Sequence, residues 1–264
     1  MRKLLATLSV ALLAQSVHAA EFDCIIEARQ NVELRSPVEA VIESIRVRRG
    51  DAVKKGQIIA TLESGPERAA LELARSRAEM QGDLKSAEAR VELTRKKLIR
   101  AEELYKQNFV SVNALDEAEA DYRLSVEESR RAEENQKLAE LELKRTEQIL
   151  ELRTMRSPFT GVVVDVIQKP GEFATSNLKD PIVKLAEIDP LNVEVILPVA
   201  MYGKINIGAR AAVTPEQPVG GRYQATVRVV DRVIDAASGT FGVRLELPNP
   251  QRRIPAGARC RVRF

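Results

Sequence analysis

The spacing of hydrophobic and polar positions changes character along the chain, and each change marks a different kind of element. Arg35-Ser36-Pro37-Val38-Glu39-Ala40-Val41-Ile42 and Gln57-Ile58-Ile59-Ala60-Thr61-Leu62 are β-branched runs punctuated by Pro and Gly. So are Arg156-Ser157-Pro158-Phe159-Thr160-Gly161-Val162-Val163 and Pro181-Ile182-Val183-Lys184-Leu185-Ala186. Such runs predict short strands ending in tight turns. Between them, from about Gly65 to Met155, the chain is dense in Glu, Arg, Lys, Leu and Ala, the composition of long helices. Steps of three and four residues pick out Leu73, Arg77, Met80, Leu84, Ala87, Val91, Thr94, Leu98, Ala101 and Tyr105, with only Arg77 and Thr94 breaking an apolar seam. A weaker seam of small residues follows at Leu115, Ala118, Tyr122, Ser125, Ser129, Ala132, Gln136, Ala139, Leu143, Thr146 and Leu150. This is coiled-coil periodicity. Lys106 to Ser111 interrupts it, and Ser111 or Asn113 is placed to cap a second helix. The expectation is an antiparallel helical hairpin with arms of about 42 residues, reaching roughly 60–65 Å at the helical rise. From Leu191 the period returns to two: Leu191 to Leu197, Tyr223 to Val229, Gly242 to Leu247 and Arg259 to Phe264 alternate, separated by turns such as Pro218-Val219-Gly220-Gly221. That predicts a small antiparallel barrel or sandwich.

The two β-rich stretches flanking the helices are copies of one another. Arg35 to Ile42 aligns with Arg156 to Val163 at an offset of 121, and Gly50-Asp51 meets Gly171-Glu172 at the same offset. One small β module is therefore read as split by a helical insertion.

Charge and composition narrow the function. Lys+Arg 41 against Asp+Glu 38 leaves +3 over 264 residues, without the basic surplus of a nucleic-acid binder. Trp is absent and aromatics are few, so platforms for base stacking are scarce. Arg2 and Lys3 precede the apolar run Leu4 to Leu13, and Val17-His18-Ala19 places small residues at −3 and −1, the layout of a secretory signal peptide. The run is short for a bilayer span; the alternative is an uncleaved anchor. Cys24 follows Glu21-Phe22-Asp23, too acidic and bulky for a lipid-attachment motif. The single histidine, His18, lies in the leader, so a processed chain has none. Catalytic triads, most zinc sites and histidine acid–base chemistry are thereby excluded. Met80, Met155 and Met201 alone make a poor metal site. No catalytic, cofactor-binding or metal-ligating residues are expected, and the reading is a non-enzyme exported beyond the inner membrane.

Pro37, Gly50-Asp51 and Gly56-Gln57, mirrored by Pro158, Gly161 and Gly171-Glu172, resemble the two halves of a biotinyl/lipoyl module. Helices replace the hairpin that carries the modified lysine in carrier proteins. A split lipoyl-like module around an α-hairpin, followed by a β-barrel and preceded by a leader, is similar to the HlyD-like periplasmic adaptor (membrane fusion protein) family of tripartite efflux pumps. The resemblance implies an α+β fold with a signal peptide at 1–19 and a first barrel strand plus first lipoyl half at 20–64. It places the α-helical hairpin at 65–155, the second lipoyl half at 156–188 and the β-barrel at 189–264. It implies a protein in the periplasm, tied to the inner membrane through an exporter of the resistance-nodulation-division (RND) type and working as a homo-oligomeric ring. At the hairpin tip, Arg100, Leu104 and Ser111 match the Arg-x3-Leu-x6-Ser pattern with which adaptors dock on TolC-like outer-membrane channels. The alternatives at those positions are an Arg100–Glu103 pair, a seam-flanking Leu and a capping Ser. For the whole protein, the alternative is an envelope scaffold that self-associates through the hairpin.

Two further expectations concern the chain ends. Cys24 and Cys260 lie in the first and last strands and, in an oxidising compartment, are expected to pair; two buried thiols are the alternative. Arg259, Arg261 and Arg263 share one strand face, a candidate membrane- or exporter-facing surface, against the alternative of a solvated face.

Overall fold

The computed structural model describes residues 21–175 and 180–264; the expected leader, with His18 and the cleavage site after Ala19, lies outside the described residues. In chain order the elements are β1 (Glu21–Leu34), β2 (Ala40–Ile45), β3 (Ala52–Val53), β4 (Ile58–Leu62), α1 (Gly65–Glu79), α2 (Gly82–Lys106) and α3 (Val112–Glu151). They continue with β5 (Thr154–Arg156), β6 (Gly161–Val166), β7 (Phe173–Ala174), β8 (Val183–Pro198), β9 (Arg210–Pro215), β10 (Tyr223–Val230), β11 (Thr240–Leu247) and β12 (Arg259–Arg263).

Two long strands tie the β regions together. β1 and β8 pair antiparallel from Leu34↔Val183 to Cys24↔Val195. Towards one end they close a barrel through β12, β9, β10 and β11, all antiparallel neighbours. Alternation decides its inside: Ile26, Val193, Val195, Leu197, Val213, Val227, Val243, Leu245 and Val262 are fully buried in one cluster. Each such side chain contributes about 1.5–3 kcal/mol by leaving water. The 188/189 boundary expected from sequence falls inside β8, because β8 runs on into the second β module without a break.

That second module carries the sequence repeat into three dimensions. β2 and β6 have the same length and the same burial pattern at the 121-residue offset. Ala40 pairs with Ala174 as Gly161 pairs with Val53. Ile42 N donates to Glu172 O at 2.9 Å, and Val163 N donates to Asp51 O at 2.9 Å. Gly171 N donates to Ile42 O at 2.8 Å, and Gly50 N to Val163 O at 2.9 Å. These exchanges need the left-handed backbone that Gly50 and Gly171 adopt at φ 89° and 90°. Each half thus completes the other, around a core of Ile42, Val53, Ile59, Leu62, Ile182 and Leu185.

The helices leave this module from β4 and return to it through β5, which pair with each other. At the root, Arg153 forms an ion pair with Glu67, the two side chains 19% and 16% exposed, and Arg153 O accepts from Leu62 N at 2.8 Å. The returning arm, α3, is one helix of 40 residues. Its less exposed positions include Leu115, Ala118, Tyr122, Ser125, Glu128, Ser129, Ala132, Gln136, Ala139, Leu143, Thr146 and Leu150. The outgoing arm corrects the expectation of a continuous helix. It breaks at Met80, whose backbone is extended (φ −73°, ψ 101°), into α1 of 15 and α2 of 25 residues. The break resets the helical phase. Before it, Leu71, Ala74 and Ala78 turn towards α3, while Leu73, Arg77 and Met80, expected in the seam, are exposed. After it, Leu84, Ala87, Val91, Thr94, Leu98 and Ala101 take the inner positions. Ending a helix frees carbonyls, and Gln136 Nε2 on α3 donates to one of them, Ala78 O. Midway along the hairpin the buried hydroxyls of Thr94 and Ser125 meet at 2.7 Å. Small side chains at these positions let the helices approach, and the hydroxyl pair fixes their register.

Candidate docking site at the hairpin tip

The two arms of the hairpin meet at its tip. α2 ends at Lys106, and Asn108 adopts φ 58°, a left-handed conformation that Asn tolerates better than other non-glycine residues. Asn108 N donates to Tyr105 O and Phe109 N to Leu104 O, both at 2.9 Å, which ends the helix and reverses the chain. Ser111 then caps α3: its backbone is extended and its Oγ accepts from Ala114 N at 3.3 Å. The cap occupies a lone pair and leaves the hydroxyl proton free to donate outward.

Arg100 and Leu104 are four residues apart and so lie on one face of α2. Arg100 is exposed, and its expected alternative partner Glu103 forms no ion pair with it among the described residues. Leu104 is 42% exposed. Beside them stand groups that sequence reading did not select. Phe109 is 73% exposed in the turn and Val112 is exposed at the first residue of α3. Tyr105, expected in the seam, is also exposed. The signal for these residues was present in sequence as apolar residues, Phe109 and Val110, inside an otherwise polar interhelical turn. The tip therefore offers a guanidinium with no acid partner among the described residues, apolar knobs and a hydroxyl. Each large apolar side chain seated in a partner would contribute about 1.5–3 kcal/mol.

The other candidate residues sit at the far end of the molecule, in the barrel. Cys24 and Cys260 face each other across β1 and β12 and form a disulfide with Cα atoms 4.9 Å apart. Arg259, Arg261 and Arg263 project from the outer face of β12, while Cys260 and Val262 point inward. Arg261 reaches Glu21 at 3.8 Å. Elsewhere on this wall, hydrogen bonds donated by Arg228 to Glu246 and by Arg244 to Glu194 raise the pKa values of the two arginines. A hollow of about 860 Å³ lies where the barrel meets the second module and is lined by Glu27, Val162, Val164, Ile188, Arg252 and Arg253 among others. No cluster of His, Cys, Asp or Glu suited to a metal occurs among the described residues.

Comparison with known proteins follows the same division of the chain. Residues 30–183 match the model of the CzcB-like barrel-sandwich hybrid domain, and residues 191–264 that of the CusB-like beta-barrel domain. The cation efflux system protein CzcB of Alcaligenes sp. is 24% identical over 213 residues, covering 80% of this chain and 38% of its own length. The macrolide export protein MacA of Yersinia pestis is 25% identical over 236 residues, 86% of this chain and 62% of the relative. The chain thus spans 38–62% of the length of these curated relatives. The crystal structure of MacA from Actinobacillus actinomycetemcomitans superposes with a TM-score of 0.74 at 22% identity, covering 92% of this chain and 77% of that one, and so shares its fold. With more than half its residues in the barrel-sandwich hybrid and the CusB-like barrel following directly, the chain belongs to the CzcB-like family of periplasmic adaptors, the membrane fusion proteins.

Proposed function

We propose that this protein is the adaptor of a tripartite efflux or secretion system, joining an inner-membrane exporter to a TolC-like outer-membrane channel through its hairpin tip. The observation that carries the reading is the tip itself. Arg100 has no acid partner among the described residues, and Leu104, Phe109 and Val112 are exposed at the end of a hairpin whose tip lies outside the β cores. Such apolar residues at the tip contribute to neither β core. The relatives support an export role, since their names speak of cation efflux and macrolide export, and the exporter is taken to be of the RND type.

In this reading the arms form a coiled coil, and the repeated β module is a lipoyl-like scaffold with no modified lysine. The protein works in the periplasm as a homo-oligomeric ring. Its cargo passes without chemical change, so it needs no catalytic residue or cofactor. No described helix is long and apolar enough to cross a membrane, and attachment to the inner membrane comes through the exporter.

A photo-crosslinking residue placed at Phe109 tests the contact in living cells. The expected product joins this protein to an outer-membrane channel. Products containing only copies of this chain would favour the self-associating scaffold instead.

A further inference from the structure

The outer wall of the barrel carries a second feature, independent of the tip. Some of its arginines are paired with acids and others are not. Arg228, Arg244 and Arg261 are paired, with Glu246 at 2.7 Å, with Glu194, and with Glu21 at 3.8 Å. Arg210, Arg222 and Arg263 have no acid partner among the described residues, and all three line one hollow of about 350 Å³ with Ala212, Gln224 and Phe264. Strand register explains the convergence. Ala212 on β9 lies opposite Arg263 on β12 and opposite Gln224 on β10. Arg210 is two residues along β9 on the same face, about 7 Å away at the strand rise. Arg222 lies just before β10, two residues ahead of Gln224, and is exposed. The methyl group of Ala212 leaves a gap in the wall, and Arg210, Arg222 and Arg263 line the hollow there. The nearest acid across the β1 edge, Glu21, faces Arg263 in register but is turned to Arg261.

Three like charges around one hollow repel each other, and no Asp or Glu side chain among the described residues pairs with any of them. A bound oxyanion offsets that repulsion. Guanidinium forks approaching from different strands suit a tetrahedral anion, whose oxygens point in several directions, better than a planar carboxylate with two.

We propose that the Arg210–Arg222–Arg263 hollow is a phosphate-binding site, for the phosphoryl oxyanion shared by anionic lipid headgroups and soluble phosphate esters. On the outside of the barrel, and beside Arg259 and Arg261, it would hold this end of the adaptor against an anionic bilayer surface.

Two probes test it on the purified, disulfide-bonded protein. One is titration with inorganic phosphate against chloride at matched ionic strength. The other is co-sedimentation with phosphatidylcholine vesicles, with and without phosphatidylglycerol. The variant R210Q/R222Q/R263Q is compared with the charge-matched control R95Q/R232Q/R253Q, each checked for a wild-type melting temperature. The wild type should bind phosphate over chloride, and the hollow variant should lose on the order of a hundredfold in affinity, from one surface arginine's usual contribution taken three times. The control should keep wild-type affinity. Vesicle binding that depends on phosphatidylglycerol and is competed by phosphate assigns the ligand to a lipid headgroup; phosphate binding without vesicle binding assigns it to a soluble ester. Absence of both kinds of binding in the wild type overturns the proposal, and so does a control that loses as much as the hollow variant.

Discussion

An ion pair between Arg153 and Glu67 lies at the root of the hairpin, and its removal has a calculable consequence. Arg153 and Glu67 retain only 19% and 16% exposure, and Arg153 Nη1 also reaches Glu39 O at 3.4 Å. Arg153→Leu leaves the Glu67 carboxylate in a site that excludes most water, and Glu67 Oε2 is already without a hydrogen-bond partner. Breaking a fully buried pair by removing one partner costs about 3–5 kcal/mol. With roughly a sixth of each side chain still wet, a cost of about 2–3 kcal/mol is expected. Glu67→Leu should cost less, because Arg153 keeps its carbonyl contact and can turn its long side chain towards water. The double variant E67L/R153L should recover much of the loss, since neither charge is stranded, giving a coupling energy above about 1 kcal/mol. The assay is urea denaturation followed by helical circular dichroism on all four proteins, with amide exchange at Leu62 and Glu63 as a local reporter of the root. Additive single costs, or a loss under about 0.5 kcal/mol for Arg153→Leu, would show that the pair is not coupled and that the root is held by its backbone alone.

Other outcomes follow from the same structure. Asn249→Ala removes hydrogen bonds to Ile188 O, Ile254 O and Ile254 N at 2.9–3.2 Å; stranding buried backbone groups should cost about 2–4 kcal/mol in chemical denaturation. Cys24→Ser/Cys260→Ser opens a bridge of sequence separation 236, and chain entropy predicts a loss on the order of 5 kcal/mol, read as a lower melting temperature without change in the far-ultraviolet spectrum. Gln136→Ala strands the Ala78 carbonyl at the break in the outgoing arm and should cost about 1–2 kcal/mol, measured by urea melts. Hydrogen bonding from Arg228 holds the Glu246 pKa below its ordinary 4.5. Its stabilisation is therefore complete above pH 4.5 and lost as pH falls through the lower folded value, a slope that Arg228→Gln should flatten in melting curves taken across that window.

What could be read from sequence depended on whether local pattern alone determined the outcome. The β repeat was legible because Pro and Gly punctuate it and because the same residues recur at one offset; the exchange of strands between halves follows from that symmetry. Along α3 the inner positions were legible, since an unbroken helix keeps its phase from Leu115 to Leu150. On the outgoing arm the phase counted from Leu73 was wrong until Leu84. The break at Met80 shifts it, and the compensating bond comes from Gln136, distant in sequence; Gly82 was the sole local hint. At the tip, Ser111 was legible as a cap from its place before α3. The exposure of Phe109 was not, because an apolar residue in a turn is ordinarily covered by something, and only the geometry of the turn leaves it bare. Arg210 and Arg222 escaped notice because their convergence on Arg263 depends on the β9–β10 and β9–β12 registers.

The central claim, docking through the tip, is tested most directly by transport in a strain that depends on this protein. Arg100→Asp reverses the charge at an exposed site without a partner, and Leu104→Ala removes a knob that is 42% exposed, so neither should lower the melting temperature much. Lys106→Ala, in the same turn region but outside the Arg-x3-Leu-x6-Ser spacing, is the control. Docking predicts that the Arg100 and Leu104 variants lose export and sensitise the cells while the Lys106 variant stays near wild type. Wild-type resistance in both the Arg100→Asp and Leu104→Ala strains, with the proteins folded and present, would contradict it.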